Sequence, residues 1–363
     1  MKRNGKVDFL RFVFALFIMF LHFAYRPEIR VLGHSFYLGQ RGVFGVRFFF
    51  ILSGYLLAYS VERMSLKNEC ESGADSNGLI KDYYPFIVRK YCAYIKWYLP
   101  AFLLCVLLDG LQSGSIVAIR KTVSSVQNLL LLGSLGFSFD SQSIGYYVGA
   151  SWFISALFLA QIILFPLMRV RYRLWSRGLA PIVFVFSLAL YINGYLCDWE
   201  RMIQAIFSMA LGSMCYELAK VISRRSYKRW FCNFLRVIEL LIYLSCIAYM
   251  CDEAAEGTEY GMMFVVAFGI VLSFLPQTQY GFFDHPFFNF LGKLSFPLYL
   301  LHVQVLYWAD YILYRLDRNP PDHVKYPVLY VCAIVVSVGF YFLWECIGKV
   351  DWKRKWKHLT EEK

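Results

Sequence analysis

An arginine and a histidine stand at the two ends of a run of apolar residues in LRFVFALFIMFLH, Leu10 to His22. A cationic side chain at the centre of a bilayer costs about 2.5–3.5 kcal/mol on insertion scales, so a membrane helix keeps one for a reason. Arg11 and His22 are eleven residues apart, close to three helical turns. On a helix they therefore share one face, about 16 Å apart along the axis. Two accounts fit this spacing. In the first, Arg11 snorkels to one interface with Asp8 as its i−3 partner, and His22 lies at the other interface. In the second, the shared face lines a polar cavity. Arg11 then neutralises or orients an anionic ligand, and His22 exchanges protons near neutral pH.

Further stretches carry polar groups in apolar surroundings. GVRFFFILSGYLLA (Gly45 to Ala58) holds Ser53-Gly54, a step suited to close backbone approach or a helix break. LGKLSFPLYLLH (Leu291 to His302) places Ser295 and His302 two turns apart on one face, with Tyr299 one turn from His302. Pro297 loosens the local hydrogen-bond ladder and opens room for a ligand. SWFISALFLAQIILFP (Ser151 to Pro166) begins beside Trp152, which by itself reads as an interfacial aromatic. Finally, RKYCAYIKWYLP (Arg89 to Pro100) supplies Arg89, Lys90 and Lys96. They read either as an ordinary positively charged flank or as a phosphate-holding group.

The elements that must position these groups are membrane helices. The 363 residues are 59% hydrophobic and only 17% charged, with a mean hydropathy of +0.48. A soluble domain is about 45–50% apolar and about 25% charged. The apolar runs are continuous rather than alternating, which argues against transmembrane β-strands. The expectation is an all-α polytopic membrane protein. About ten spans lie near 7–25, 43–61, 97–112, 150–168, 179–196, 202–219, 234–251, 260–275, 287–314 and 328–348. NLLLLGSLGF (Asn128 to Phe137) is too short and glycine-broken to cross, and is expected to be re-entrant or interfacial.

With the N-terminus in the cytoplasm, 24 Lys and Arg fall in inner segments and 10 in outer ones. Arg11, Arg236 and Lys293 lie within spans. The positive-inside rule favours this orientation, with both termini cytoplasmic. Lys2, Arg3 and Lys6 ahead of an apolar stretch resemble a signal peptide. Arg11 and His22 interrupt it and no small-residue cleavage site follows, so a retained first helix is expected. Residues 1–348 form one membrane-embedded domain. Met64 to Tyr84 reads as a polar inner loop, and 349–363 as a basic, Trp-containing tail at an anionic leaflet. That placement accounts for the +12 net charge without nucleic acid. The ten cysteines show neither CxxC pairs nor metal-ligand spacing, and most lie in apolar runs. Cys197 and Cys251 both fall near the outer face, where a disulfide is an option.

Together the motifs resemble the acyltransferase 3 family of integral membrane acyltransferases. Arg11 and His22 match its Arg-x10-His spacing. Gly45, Val46, Phe49, Phe50, Ser53, Gly54 and Tyr55 match its second-helix motif. Gly292, Lys293, Ser295, Tyr299, Leu300 and His302 match its late motif, and Trp152 the mid-chain one. Three features depart from the pattern. Arg47 stands where one branch has an acidic residue, Phe296-Pro297 replaces a Tyr-containing pair, and the inner basic motif is stretched over Arg89 to Pro100.

The resemblance implies transfer of an acyl group, usually acetyl, from cytoplasmic acyl-CoA to a hydroxyl of a surface or lipid-linked glycan. His22 and Arg11 would be catalytic, with Arg11 toward the pantetheine or phosphates and His22 as general base. Asp8, Ser53, Trp152, Ser295, Tyr299 and His302 would support them, orient the acceptor or stabilise the oxyanion. Arg89, Lys90 and Lys96 would bind acyl-CoA. The partners are acyl-CoA, a glycan acceptor and membrane lipids, with no metal and no permanently bound cofactor. The location by analogy is a bacterial cytoplasmic membrane. The competing reading is a glycan exporter; transporters of that kind often show inverted repeats, and no internal repeat is evident.

Overall fold

The computed structural model describes residues 3–31, 33–71, 77–135, 151–255 and 257–349. The described chain is almost entirely helical. It begins with α1 (Gly5–His22), α2 (Phe44–Glu71) and α3 (Asn77–Ser113). Two short helices follow, α4 (Ser115–Ser124) and α5 (Val126–Leu129), before α6 (Trp152–Val170). The brief α7 (Tyr172–Leu174) runs through a π-helical turn into α8 (Ala180–Ile192). The remainder is α9 (Glu200–Ser223), α10 (Arg229–Cys251), α11 (Glu259–Phe274), α12 (Pro286–Arg315) and α13 (Asp322–Lys349).

Each of the ten expected stretches is occupied by one of these helices. Seven segments are long and apolar enough to cross a membrane, so the chain is an all-α polytopic membrane protein. The other three stretches fall on α1, α11 and α12. α11 has 16 residues. α1 carries Lys6, Asp8 and Arg11, and α12 carries Lys293, His302, Gln304 and Asp310. The two helices of span length set apart by these polar groups are thus the two that hold the candidate histidines.

α1 packs along α12, α2 along α9, and α12 against α13. The α2–α9 pairing explains Ser53-Gly54. A Cβ on Gly54 would strike the Met209 carbonyl, and one on Gly212 the Ile51 carbonyl. The step is a close backbone approach, and α2 continues through it unbroken. At its start α1 is pinned by buried polar groups. The Lys6 ammonium donates to Glu239 Oε2 (2.8 Å) and the Thr278 carbonyl (3.1 Å), while Ser273 donates to Glu239 Oε1 (2.7 Å).

The expected inner loop, Met64 to Tyr84, is corrected: α2 runs on to Glu71 and α3 begins at Asn77. Both helices outrun the bilayer. The 37 residues of α3 make about 55 Å of helix, against about 30 Å of hydrocarbon. Arg89, Lys90 and Lys96 therefore lie within a continuous helix rather than on a flank before residue 97. A β-hairpin was not expected in an all-α chain. β1 (Glu28–Val31) pairs antiparallel with β2 (His34–Tyr37), with Gly33 left-handed (φ 81°) in the turn. It docks on the end of α10. Phe36 bridges Asp252, and Arg41 donates to the carbonyls of Asp252 (2.8 Å) and Glu253 (2.7 Å).

The Asn128 to Phe137 stretch is described as far as Leu135. It is a broken segment held against the start of α6: the Ser134 amide donates to Ser155 Oγ (2.9 Å), whose hydroxyl donates to the Leu131 carbonyl (2.8 Å). Leu131, with φ 58°, is where the helix breaks. Cys197 and Cys251 carry free thiols, so the disulfide option is corrected as well. Of the basic tail, Lys349 ends α13, and residues 350–363 lie outside the described ones.

Candidate active site

The site is built along the seam between α1 and α12. Gly292 makes the seam close, because a Cβ there would run into the Asp8 carboxylate. The two helices run alongside each other from this point and bring His22 to His302. Their ring centroids are 4.9 Å apart, with His302 Nε2 3.2 Å from His22 Nδ1.

The hydrogen-bond partners assign the protons. His22 Nδ1 lies 2.8 Å from the Ile18 carbonyl, and His302 Nδ1 lies 3.0 Å from the Leu298 carbonyl. A carbonyl only accepts, so each Nδ1 carries hydrogen. Neutral His302 then presents its Nε2 lone pair to the same His22 Nδ1–H, which is shared between it and the nearer Ile18 carbonyl. His22 is left with its lone pair on Nε2, which has no partner among the described residues. His302 is fully buried at 0% exposure, whereas His22 is exposed. The pair is therefore asymmetric. His22 can meet a ligand, and His302 holds its ring and can accept from the imidazolium that forms when Nε2 takes a proton.

Toward the N-terminal end of the seam, the Asp8 carboxylate is shared by two guanidiniums. Arg3 Nε is 2.5 Å from Oδ2, and Arg11 Nη1 is 3.4 Å from Oδ1. Arg3 also donates to the Asn289 carbonyl on α12 (3.1 Å). One carboxylate against two arginines leaves net positive charge, and the Arg11 side chain keeps 32% of its surface exposed. Tyr94 of α3 stands in electrostatic reach of Arg11. Its ring is 6.0 Å from Phe296, and its hydroxyl donates to Gln161 of α6 (3.0 Å). Lys90 is one turn before Tyr94 on the same face of α3 and is half-buried, while Arg89 and Lys96 are exposed. Lys90, whose ammonium lies over the Phe86 ring (5.6 Å), is thus the one of the three that shares the Tyr94 face without being exposed.

The remaining expected residues divide. Tyr299 is buried, its ring 6.1 Å from His302 and 5.2 Å from Phe153. Trp152 lies under the guanidinium of Arg201 (5.1 Å), which also stands in electrostatic reach of Tyr299. Of these three, Tyr299 is the one that packs beside the histidine pair. Ser295 is buried with its hydroxyl turned back onto the Gly292 carbonyl (2.8 Å). Ser53 sits half-buried in the α2–α9 packing, one turn beyond Phe49 and Phe50, whose rings pack on Phe153. Neither serine is brought against the histidines by a hydrogen bond. Lys293 is turned away to the Tyr341 hydroxyl (3.1 Å). The departure at Arg47 has a partner: this fully buried side chain lies 2.5 Å from Glu259 Oε1, so α11 supplies the missing acid.

Sequence reasoning missed Arg3, Arg26, Tyr94, Gln161 and Arg201. The i,i+4 relation of Lys90 to Tyr94 was a usable signal. Arg26 also repeats the helical interval after His22. It lies in electrostatic reach of His22.

A family model described as an acyltransferase domain, Acyl_transf_3, matches residues 4–343, nearly the whole chain. No curated protein and no solved structure matches the chain.

Proposed function

Since the chain belongs to the acyltransferase 3 family and is a membrane acyltransferase, we propose that it moves an acetyl group from cytoplasmic acetyl-CoA to a hydroxyl of a surface or lipid-linked glycan. The observation that carries this reading is the seam itself. One face of α1 presents surplus positive charge at Arg11 and a ligand-facing imidazole at His22, each backed by α12. The anionic phosphates of CoA suit Arg11, Arg3 and Lys90, and the pantetheine arm leads the thioester along the seam toward His22.

At that point the acceptor hydroxyl oxygen bonds to the thioester carbonyl carbon. His22 Nε2 takes the hydroxyl proton, and the carbonyl π pair moves onto oxygen. When that pair returns, the C–S bond breaks, and the thiolate leaves with the proton that His22 held. Imidazole catalysis of this kind is typically worth about 10²–10⁴-fold in rate. His302 acts through His22, fixing its tautomer and accepting from its Nδ1–H.

Purified protein in nanodiscs, supplied with acetyl-CoA, tests this reading through equilibrium binding and slow thiol release with water as the acceptor. The expected result is binding and release by the wild type, release lost in His22→Ala with binding kept, and binding weakened in Arg11→Ala. Absence of acetyl-CoA binding by the wild type would overturn the donor assignment.

A further inference from the structure

Arg26 lies four residues past His22, just beyond the end of α1. Its Nη2 donates to the Leu21 carbonyl (3.1 Å), next to His22 in the chain, and its Nη1 donates to Gln40 Oε1. Gln40 reaches it because the loop after the hairpin lies directly on α1. A Cβ on Gly39 would collide with Phe20, and one on Gly42 with the Phe17 carbonyl. Gly39 is also left-handed (φ 78°), a conformation that costs other residues. The guanidinium is therefore clamped in place by two neutral acceptors.

Among the described residues no carboxylate pairs with Arg26, and its buried Nε–H has no hydrogen-bond partner. Two of its five N–H groups are used, and three remain. Arg47, fully buried where Arg26 is half-buried, faces Glu259. The enclosed Nε–H of this half-buried side chain carries the cost of an unmade hydrogen bond. Such a cost is characteristic of a donor preorganised for charge that exists only during reaction. Ser295, the hydroxyl expected to help here, is committed to the Gly292 carbonyl.

We propose that Arg26 donates to the oxyanion that forms on the thioester carbonyl during acyl transfer. This rests on the acyl-CoA reading of the seam. As the attacking oxygen bonds to carbon, the displaced π pair sits on the carbonyl oxygen, and a free Arg26 N–H meets it. When the pair returns and the C–S bond breaks, Arg26 is released unchanged. The negative charge leaves on the thiolate, which takes the proton from His22.

The test uses acetyl-CoA alone, with water as the acceptor, because the oxyanion forms whether water or a sugar attacks. Thiol release and acetyl-CoA binding are measured for the wild type, Arg26→Gln and Arg26→Lys in nanodiscs, with unfolding midpoints recorded. The expected result is a fall in kcat of about 10²–10³-fold in Arg26→Gln, the range for losing one oxyanion donor. Arg26→Lys should recover part of it, and KM, binding and midpoint should stay near wild type. A wild-type kcat in Arg26→Gln overturns the assignment. So does a fall in kcat matched by a lowered midpoint and equal in Arg26→Lys, which marks a structural latch. A wild type that binds acetyl-CoA but releases no thiol contradicts the acyl-transfer reading and this assignment with it.

Discussion

Lys6 and Arg11 are five residues apart on α1, and their surroundings could hardly differ more. The Lys6–Glu239 pair is closed: both side chains are below 8% exposed, and Ser273 and Thr278 supply the remaining bonds. Around Asp8 the network is open, with two guanidiniums on one carboxylate and Arg11 a third exposed. A satisfied buried network locks a helix in register, whereas an unfinished one at the end of an accessible face leaves charge open to solvent or to a ligand. At the hairpin end the difference is one of partner charge: Arg47 faces the Glu259 carboxylate, while Arg26 has only neutral partners among the described residues.

Substitutions can break this contrast. The largest effect on stability should come from Lys6→Met. It strands Glu239 without its cation and should cost about 3–5 kcal/mol. Adding Glu239→Gln should return much of that, because the stranded charge is then gone. Unfolding midpoints in detergent check both. Arg11→Gln, by contrast, should leave the midpoint nearly unchanged and weaken acetyl-CoA binding by about 1.5–3 kcal/mol, the worth of a charged hydrogen bond. Equal destabilisation by both substitutions would abolish the distinction between closed and open networks.

The histidine pair offers a finer division. His302→Ala should lower kcat for thiol release by roughly 10–100-fold without changing binding, as loss of an orienting partner does. His302→Gln, whose amide oxygen can accept from His22 Nδ1–H, should recover part of it. Kinetics that separate kcat from KM will show whether His302 works through His22 in this way.

The smallest effect belongs to the hairpin, at Asp252. The backbone N–H of Ala254 and then His34 Nε2 hold its carboxyl below the usual carboxylate range. A carboxyl depressed on folding contributes stability above its unfolded pKa of about 3.9, and loses it as pH falls through the folded value. Asp252→Asn should therefore cost under about 1 kcal/mol at neutral pH, given the exposure of His34. Hydrogen exchange of the β1–β2 amides should speed up in the variant, and in the wild type on acidification below pH about 4.

Much of the seam was legible from spacing. Arg11 and His22 share a face because eleven residues close three turns, and the run from Ser295 to His302 repeats the logic on α12. That the two faces meet was not legible, since it depends on Gly292 admitting Asp8, a contact between residues 284 positions apart. The stretch from Arg89 to Lys96 could not be resolved by sequence because a charge count has no direction. Only its own partial burial singles out Lys90 from the exposed Arg89 and Lys96. The hairpin was missed because EIRV and HSFY are short and flank a glycine in a segment read as a loop. Arg26 was hidden by the end of α1: its place depends on Gly39 and Gly42, which carry no chemical signal of their own.

The central claim is that His22, presented by His302, takes the proton during acyl transfer. The direct measurement is thiol release from acetyl-CoA by His22→Ala in nanodiscs, beside equilibrium binding of acetyl-CoA to the same sample. The account predicts unchanged binding and a rate lower by about 10²–10⁴-fold. Wild-type release by His22→Ala at intact binding would contradict it.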